Sequence, residues 1–144
     1  MPKTILVVDD EPDVLEFIKL LLEGAGFDVV AVKDGFEGYS KANDFDFDLA
    51  LIDVVMPSMT GIALLKRLKS GERTKEIPVI LISVLDREVD RRMALDLGAV
   101  AFLTKPSDPQ EMLLFVRSIR NFLEPYSEVT PKVSEETPKG IDIA

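Results

Sequence analysis

The chain contains neither cysteine nor histidine among its 144 residues. Without cysteine, this sequence has no disulfide bonds, thiolate zinc sites or thiol catalysis. Without histidine, it has no Ser-His-Asp or Cys-His catalysis and no imidazole-ligated metal. Any metal ion must therefore be bound by oxygen ligands.

Long apolar runs and an excess of positive charge are also lacking. No stretch is long enough to span a bilayer, and the sequence starts on an apolar strand pattern without a signal segment, so we expect a cytoplasmic protein. The 17 Lys and Arg against 26 Asp and Glu give a net charge of -9. Because nucleic-acid binding needs clustered Lys and Arg, this balance disfavours a general nucleic-acid binder.

Apolar runs alternate with helical patterns between residues 4 and 123. Runs rich in Val, Ile and Leu predict strands at 4–9, 27–32, 48–53, 79–83 and 100–104. Helical patterns follow them, beginning near Pro12, Gly35, Thr60, Asp86 and Asp108. This (βα)5 alternation predicts an α/β fold, a doubly wound five-stranded parallel sheet with helices on both faces. We expect the flavodoxin-like strand order 2-1-3-4-5, with its switch point between strands 1 and 3.

The composition changes at Pro125. From there on, Pro, Ser, Thr, Glu and Lys dominate and the apolar periodicity is lost. We therefore predict one domain at residues 1–124 and a flexible tail or linker at 125–144, too short to be an output domain.

Charged and polar residues stand where the predicted strands end, and parallel strands end along one edge of a sheet. Asp9 and Asp10 close strand 1, Asp53 closes strand 3, Ser83 ends strand 4 and Lys105 follows strand 5. Crowded carboxylates stay ionised only when positive charge neutralises them, and oxygen ligands beside a phosphate suit Mg²⁺. One carboxylate can also attack phosphorus and form an acyl phosphate.

These residues belong to four motifs in chain order. They are Val8-Asp9-Asp10-Glu11-Pro12, the segment Asp53-Val54-Val55-Met56-Pro57-Ser58-Met59-Thr60-Gly61, Ser83, and Phe102-Leu103-Thr104-Lys105-Pro106. Each motif alone is weak, but all four in this order are specific. On these motifs, residues 3–123 resemble the receiver domain of two-component response regulators.

The resemblance implies a phosphorylation site that depends on Mg²⁺. Asp53 would be the phosphoacceptor, Asp10 would bind Mg²⁺ directly, and Asp9 would act through water. Val55 would contribute its backbone carbonyl oxygen to the metal.

The resemblance also implies how the phosphoryl group is held and sensed. Ser83 and Lys105 would bind the phosphoryl oxygens. Phe102 matches the aromatic switch position, whose ring turns inward as Ser83 moves toward the phosphate. The peptide bond between Lys105 and Pro106 matches a cis bond in the family.

The implied function is a phosphorylation-controlled signalling switch. A sensor histidine kinase or phosphotransfer protein would donate the phosphoryl group, and autodephosphorylation would reset the domain, which would catalyse no other reaction. The face formed by helix 4, strand 5 and helix 5 would serve a homodimer or an effector. We predict a solvated face, able to contact an acidic partner, for the arginines Arg87, Arg91, Arg92, Arg117 and Arg120.

One residue departs from the family pattern. Val84, directly after Ser83, stands where the family usually has Ala or Gly. A branched side chain there would narrow the approach to Asp53. We therefore predict slower phosphotransfer or slower hydrolysis.

Other functions and roles remain open at this point. A haloacid dehalogenase-type phosphatase would share the acyl phosphate. That family has a second Asp two residues after its nucleophile, and here Val55 follows Asp53 and Glu11 follows Asp9 at that spacing. A nucleotide-binding module is disfavoured because the acidic, glycine-free turn after strand 1 would repel a diphosphate. A receiver-like module that is never phosphorylated is a third possibility.

Taken singly, each site residue also has an ordinary structural role. Asp9 and Asp10 would be helix caps, and Asp53 would be a turn aspartate. Ser83 would be a strand-end hydroxyl bonded to its own backbone, Lys105 a solvated lysine and Phe102 a core residue.

Overall fold

The computed structural model describes residues 2–124, in which strands and helices alternate without exception. The strands are β1 (Thr4–Val8), β2 (Asp28–Val32), β3 (Leu49–Asp53), β4 (Val79–Ser83) and β5 (Ala101–Thr104). The helices are α1 (Pro12–Gly24), α2 (Gly35–Asp44), α3 (Gly61–Ser70), α4 (Glu88–Asp96) and α5 (Pro109–Leu123). Each predicted strand is present and its ends lie within one residue of the prediction. The predicted tail at 125–144 lies outside the described residues.

The strands form one parallel sheet in the order β2-β1-β3-β4-β5, which confirms the predicted topology. Every residue of β3 and β4 is buried because both faces of the sheet are covered. One face packs against α1 and α5 through residues such as Ile18, Leu22 and Ile119. The other packs against α2, α3 and α4. Covering both faces leaves the carboxyl edge as the place where polar side chains can converge.

Three of the helices, α2, α3 and α5, begin at a side-chain N-cap. The side chains of Asp34, Thr60 and Asp108 accept hydrogen bonds from backbone N–H groups three residues ahead, at 2.8, 3.1 and 2.8 Å. Each such cap contributes about 1 kcal/mol. Helix α1 instead begins at Pro12 with no side-chain cap.

No helix within residues 2–124 is long and apolar enough to cross a membrane. The most exposed apolar side chains instead belong to loops and to the outer sides of helices. Val55 and Val84 are the extreme cases, each 71% exposed. Both border the edge of the sheet that carries the polar residues.

The loop after β3 folds back on the strand it leaves. The backbone N–H of Gly61 donates to the carbonyl of Val54 at 3.0 Å. A Cβ at position 61 would overlap the backbone carbonyl oxygen of Asp53. Gly61 is therefore the residue that lets α3 begin directly against the end of β3.

Gly61→Ala should destabilise the fold by about 1–3 kcal/mol, because the added methyl group meets backbone that cannot move aside cheaply. Urea unfolding measures the loss. Gly24→Ala is the matched control, since a Cβ there meets nothing within 4 Å. Equal stability of the two variants would contradict the close approach of Gly61 to Asp53.

Candidate functional site

The predicted site residues meet in a cleft of about 320 Å³ at the carboxyl edge of the sheet. The cleft lies over β3, next to the ends of β1, β4 and β5. Its lining residues are Asp10, Glu11, Asp53, Val55, Ser83, Val84 and Lys105. Asp9 lies beneath them and is fully buried. Residues nearly the whole domain apart in sequence are thus neighbours in space.

Lys105 is the positive centre of this cleft. Its Nζ lies 2.8 Å from Asp9 Oδ2, 3.3 Å from Asp53 Oδ1 and 3.7 Å from Glu11 Oε1. The side chain is 8% exposed, so Lys105 is not a solvated surface lysine. Its backbone N–H donates to the carbonyl of Ser83 at 2.8 Å and extends the ladder between β4 and β5 past Thr104. That bond fixes where the lysine leaves the sheet.

Asp9 is held at the bottom of the site by one hydrogen bond and one ion pair. Its Oδ1 accepts a hydrogen bond from the N–H of Glu11 at 3.0 Å. Among residues 2–124, its Oδ2 is paired with the Lys105 ammonium at 2.8 Å and contacts no other hydrogen-bond donor. Neither Asp9 nor Asp10 caps α1, which has no side-chain cap. The helix-cap alternative is therefore wrong for this pair.

Three carboxylates are close enough to share one ion. Asp9, Asp10 and Asp53 each place a carboxylate oxygen within 4.8 Å of the other two. Lys105 contributes one positive charge against these three carboxylates, so the cluster keeps a net negative charge that a bound cation can neutralise. An all-oxygen donor set of this kind fits a hard divalent cation.

The pKa of Asp53 is consistent with this excess of negative charge. Burial and the neighbouring carboxylate of Asp9 raise the pKa of Asp53 from 3.8 to about 6, against opposing contributions from Lys105 and the Val55 backbone. Burial lowers the pKa of Lys105, but its contacts with Asp9 and Asp53 outweigh burial and leave that pKa raised. Lys105 is therefore protonated at neutral pH, and Asp53 binds a proton more tightly than an ordinary aspartate does.

Ser83 closes the wall of the cleft opposite Asp10. It is 4% exposed, and its Oγ accepts a hydrogen bond from the N–H of Leu85 at 3.1 Å. Since the hydroxyl oxygen is used as an acceptor, its hydrogen is available to a group in the cleft. Val84 and Val55, both strongly exposed, form the apolar rim of the opening.

Phe102 lies behind the cleft, buried in the core on the side of α4 at 2% exposure. Arg91 of α4 donates to its carbonyl at 3.0 Å, and the guanidinium lies 5.3 Å from the ring centroid. This burial suits a core residue and an inward-turned switch residue alike, so the switch role stays a prediction.

Two of the arginines predicted to be solvated donate hydrogen bonds to backbone carbonyls of other elements. Arg91 contacts Phe102, and Arg120 donates to the carbonyl of Ala25 at 3.0 Å with its guanidinium 5.3 Å from the ring centroid of Phe27. Helical spacing places a side chain on a face but does not tell which carbonyl or ring it reaches. Glu11, which follows Asp10 directly, is a further partner of Lys105 that was not predicted from the sequence.

The expected cis bond before Pro106 is wrong for this structure. The described residues contain no cis peptide bond, and the peptide between Lys105 and Pro106 is trans. The trans form is also the lower in free energy for most X–Pro bonds, by about 0.5–1 kcal/mol.

Residues 5–117 match the family described as the response regulator receiver domain. The chain belongs to this family. It is 38% identical over 119 residues to the DNA-binding dual master transcriptional regulator RpaA of Synechocystis sp., covering 83% of this chain and 49% of that protein. It is 36% identical to the alkaline phosphatase synthesis regulator PhoP of Bacillus subtilis, with the same coverage. The chain thus spans about half the length of these curated relatives.

Solved receiver structures share the fold across nearly their whole length. The receiver domain of the Francisella response regulator 1452 is 30% identical with a TM-score of 0.76, covering 87% of this chain and 99% of that one. The phosphorylated cyanobacterial phytochrome response regulator RcpA is 28% identical with a TM-score of 0.76, covering 88% and 97%. This receiver domain is accordingly a phosphorylation-controlled signalling module.

The raised pKa of Asp53 predicts a pH dependence of stability. The folded state binds the Asp53 proton more tightly than the unfolded chain does, so stability should fall as pH rises from about 4 to about 7. In a chelating buffer, Asp53→Asn should remove this slope and gain on the order of 2 kcal/mol at pH 7. Urea unfolding across this pH range measures both effects.

Asp28→Asn is the matched control, because Asp28 is exposed on β2 away from the cleft. It should keep the slope of the unchanged protein. A pH profile of Asp53→Asn that coincides with that of Asp28→Asn would contradict the crowding of charge at Asp53.

Proposed function

We propose that Asp53 accepts a phosphoryl group from a sensor histidine kinase or a phosphotransfer protein and that this modification switches the domain. The observation that carries the proposal is the buried Lys105 ammonium, held between Asp9 and Asp53 at the floor of an open cleft. A positive charge fixed beside a carboxylate is what stabilises the oxygens of an arriving phosphoryl group.

In the proposed reaction, an oxygen of the Asp53 carboxylate attacks phosphorus. The bond between phosphorus and the histidine nitrogen of the donor protein breaks, and its electron pair stays on that nitrogen. Lys105 contacts one of the phosphoryl oxygens, and the hydroxyl of Ser83, oriented by the N–H of Leu85, donates to another. Positioning and charge neutralisation then supply most of the catalysis.

We also propose Mg²⁺ as the cation of the carboxylate cluster. Asp10, Asp53 and the backbone carbonyl of Val55 would hold the ion, with Asp9 acting through water. Bound Mg²⁺ would neutralise charge on the carboxylates and on the phosphoryl oxygens. The closely spaced oxygens of the three aspartates support this assignment.

The switch is reset by autodephosphorylation, in which water attacks phosphorus and restores the Asp53 carboxylate with release of inorganic phosphate. In this proposal the domain acts chemically only on itself. Its partners are the phosphoryl donor and a homodimer or effector that contacts the face of α4, β5 and α5, with no direct binding of nucleic acid. We place the end of the domain at residue 124. The cytoplasmic location also stays a prediction.

Intact-mass analysis after incubation with acetyl phosphate tests the proposed function. One phosphoryl adduct is expected, and it should require both Mg²⁺ and Asp53. Asp53→Asn should give no adduct, whereas the matched control Asp28→Asn should behave as the unchanged protein. No adduct on the unchanged protein in the presence of Mg²⁺ would favour the alternative of a receiver-like module that is never phosphorylated.

Val84→Ala should shorten the lifetime of the phosphoryl adduct or speed its formation by about two- to tenfold, since removing the branched side chain widens the approach to Asp53. Val84 lines the cleft and is 71% exposed, which places it in the path of an entering group. Time courses of the adduct by intact mass measure both rates.

Val89→Ala is the control for this substitution. Val89 is an exposed valine on α4 that does not line the cleft. Its adduct should form and decay at the unchanged rates. Identical time courses for Val84→Ala and Val89→Ala would rule out an effect of Val84.

A further inference from the structure

Helix α4 is held to the domain by unusually little apolar packing. Ala94 is its one buried residue, whereas α3 buries four. Three larger apolar side chains of α4 point to solvent, Val89 at 63%, Met93 at 45% and Leu95 at 46% exposure. A helix packed this loosely depends on polar contacts for its position.

Arg91 supplies such contacts to two other parts of the chain at once. Its guanidinium donates to Asp86 Oδ1 in the β4–α4 loop at 2.6 Å and to the carbonyl of Phe102 on β5 at 3.0 Å. The same guanidinium stacks over the Phe102 ring. One side chain on α4 thus joins the loop, the helix and the strand.

The neighbouring arginines do not make such a link. Arg87 pairs with Asp90 at 2.8 Å, and Arg92 lies 3.8 Å from Glu88, so each contacts a carboxylate of α4 itself. Arg91 is also the more covered, with its side chain 35% exposed against 73% for Arg92. Arg92 is therefore a natural control for Arg91.

The loop that Arg91 contacts begins at the cleft. Ser83 ends β4, its Oγ accepts from the N–H of Leu85, and Asp86 is the next residue. Only Val84 and Leu85 separate Ser83 from Asp86, so the backbone connects a displacement of Ser83 to Asp86 over two intervening residues. Asp86 in turn forms an ion pair with Arg91, and Arg91 donates a hydrogen bond to the carbonyl of Phe102.

We propose that Arg91 is a positioning residue that fastens the β4–α4 loop to Phe102, so that the loop beside Ser83 and the strand β5 move together. The coupling exists in the unmodified protein. Its use in signalling rests on the proposed function, because that use requires a phosphoryl group to displace Ser83. Arg91 acts through Asp86 and Phe102 and touches neither Asp53 nor the phosphoryl group.

Hydrogen–deuterium exchange of the unmodified full chain tests the coupling directly. Arg91→Gln should raise the exchange of segments 84–97 and 99–105 together by about tenfold, since both lose charge-assisted bonds. Segment 4–8 in β1 should not change. Arg92→Gln should leave all three segments within about twofold of the unchanged protein.

Faster exchange confined to 84–97, or no change in either segment, would overturn the proposal. If Arg91→Gln speeds exchange in all three segments, the same comparison is made with Arg91→Lys. Lysine keeps the positive charge but lacks the two separate guanidinium nitrogens that reach Asp86 and Phe102. Combining Arg91→Gln with Asp86→Asn should add little to Arg91→Gln alone. Fully additive effects would show that the two residues act separately and would also overturn the proposal.

A second arm adds acetyl phosphate and Mg²⁺, with the adduct quantified by intact mass in each sample. Modification should alter exchange in both segments of the unchanged protein. In Arg91→Gln at equal adduct level, the response of 99–105 should fall by more than half, and an undiminished response would overturn the signalling role. Absence of the adduct from the unchanged protein would instead count against the proposed function, and the first arm would still decide the coupling.

Discussion

The buried ammonium of Lys105 is the interaction on which the cleft depends. It lies between the carboxylates of Asp9 and Asp53, which come from neighbouring strands and would otherwise face each other without compensation. Removing one partner of a buried ion pair typically costs about 3–5 kcal/mol, because the other charge stays buried. The parallel sheet brings these groups together, and its bond from the Lys105 N–H to Ser83 sets where the ammonium enters. Lys105 therefore extends the sheet through its backbone and partly neutralises the cleft through its side chain.

One ammonium is not enough for the charge gathered here. The carboxylate oxygens of Asp9, Asp10 and Asp53 lie close together around this one ammonium, and burial and Asp9 raise the pKa of Asp53. Crowding these charges lowers the free energy of unfolding, a cost that is common at functional sites. It also explains how a small modification has a large effect, because a cleft already short of positive charge must respond when a phosphoryl group arrives. The nearest elements able to respond are the β4–α4 loop and α4, whose apolar packing is slight.

Much of the fold and the membership of the cleft could be predicted from the sequence. Buried parallel strands are near-continuous runs of Val, Ile and Leu, and the residues that end those runs must share one edge of the sheet. The contacts within that edge could not be predicted, because the pairing of Lys105 with Asp9 at 2.8 Å depends on side-chain geometry that spacing does not encode. The same holds for Arg91, which helical periodicity placed on a solvated face and which the structure joins to Asp86 and Phe102. The bond before Pro106, expected to be cis from the resemblance, is trans.

In the proposed function, Asp53 and no other carboxylate of the cluster carries the phosphoryl group. Borohydride reduction of the acetyl phosphate-treated protein tests it most directly, because this reagent converts an aspartyl phosphate to homoserine and so marks the modified position. Tandem mass spectrometry of the peptides then locates the mark. Homoserine is expected at position 53 alone and only when Mg²⁺ was present. Homoserine at position 9 or 10, or its absence from position 53, would contradict it.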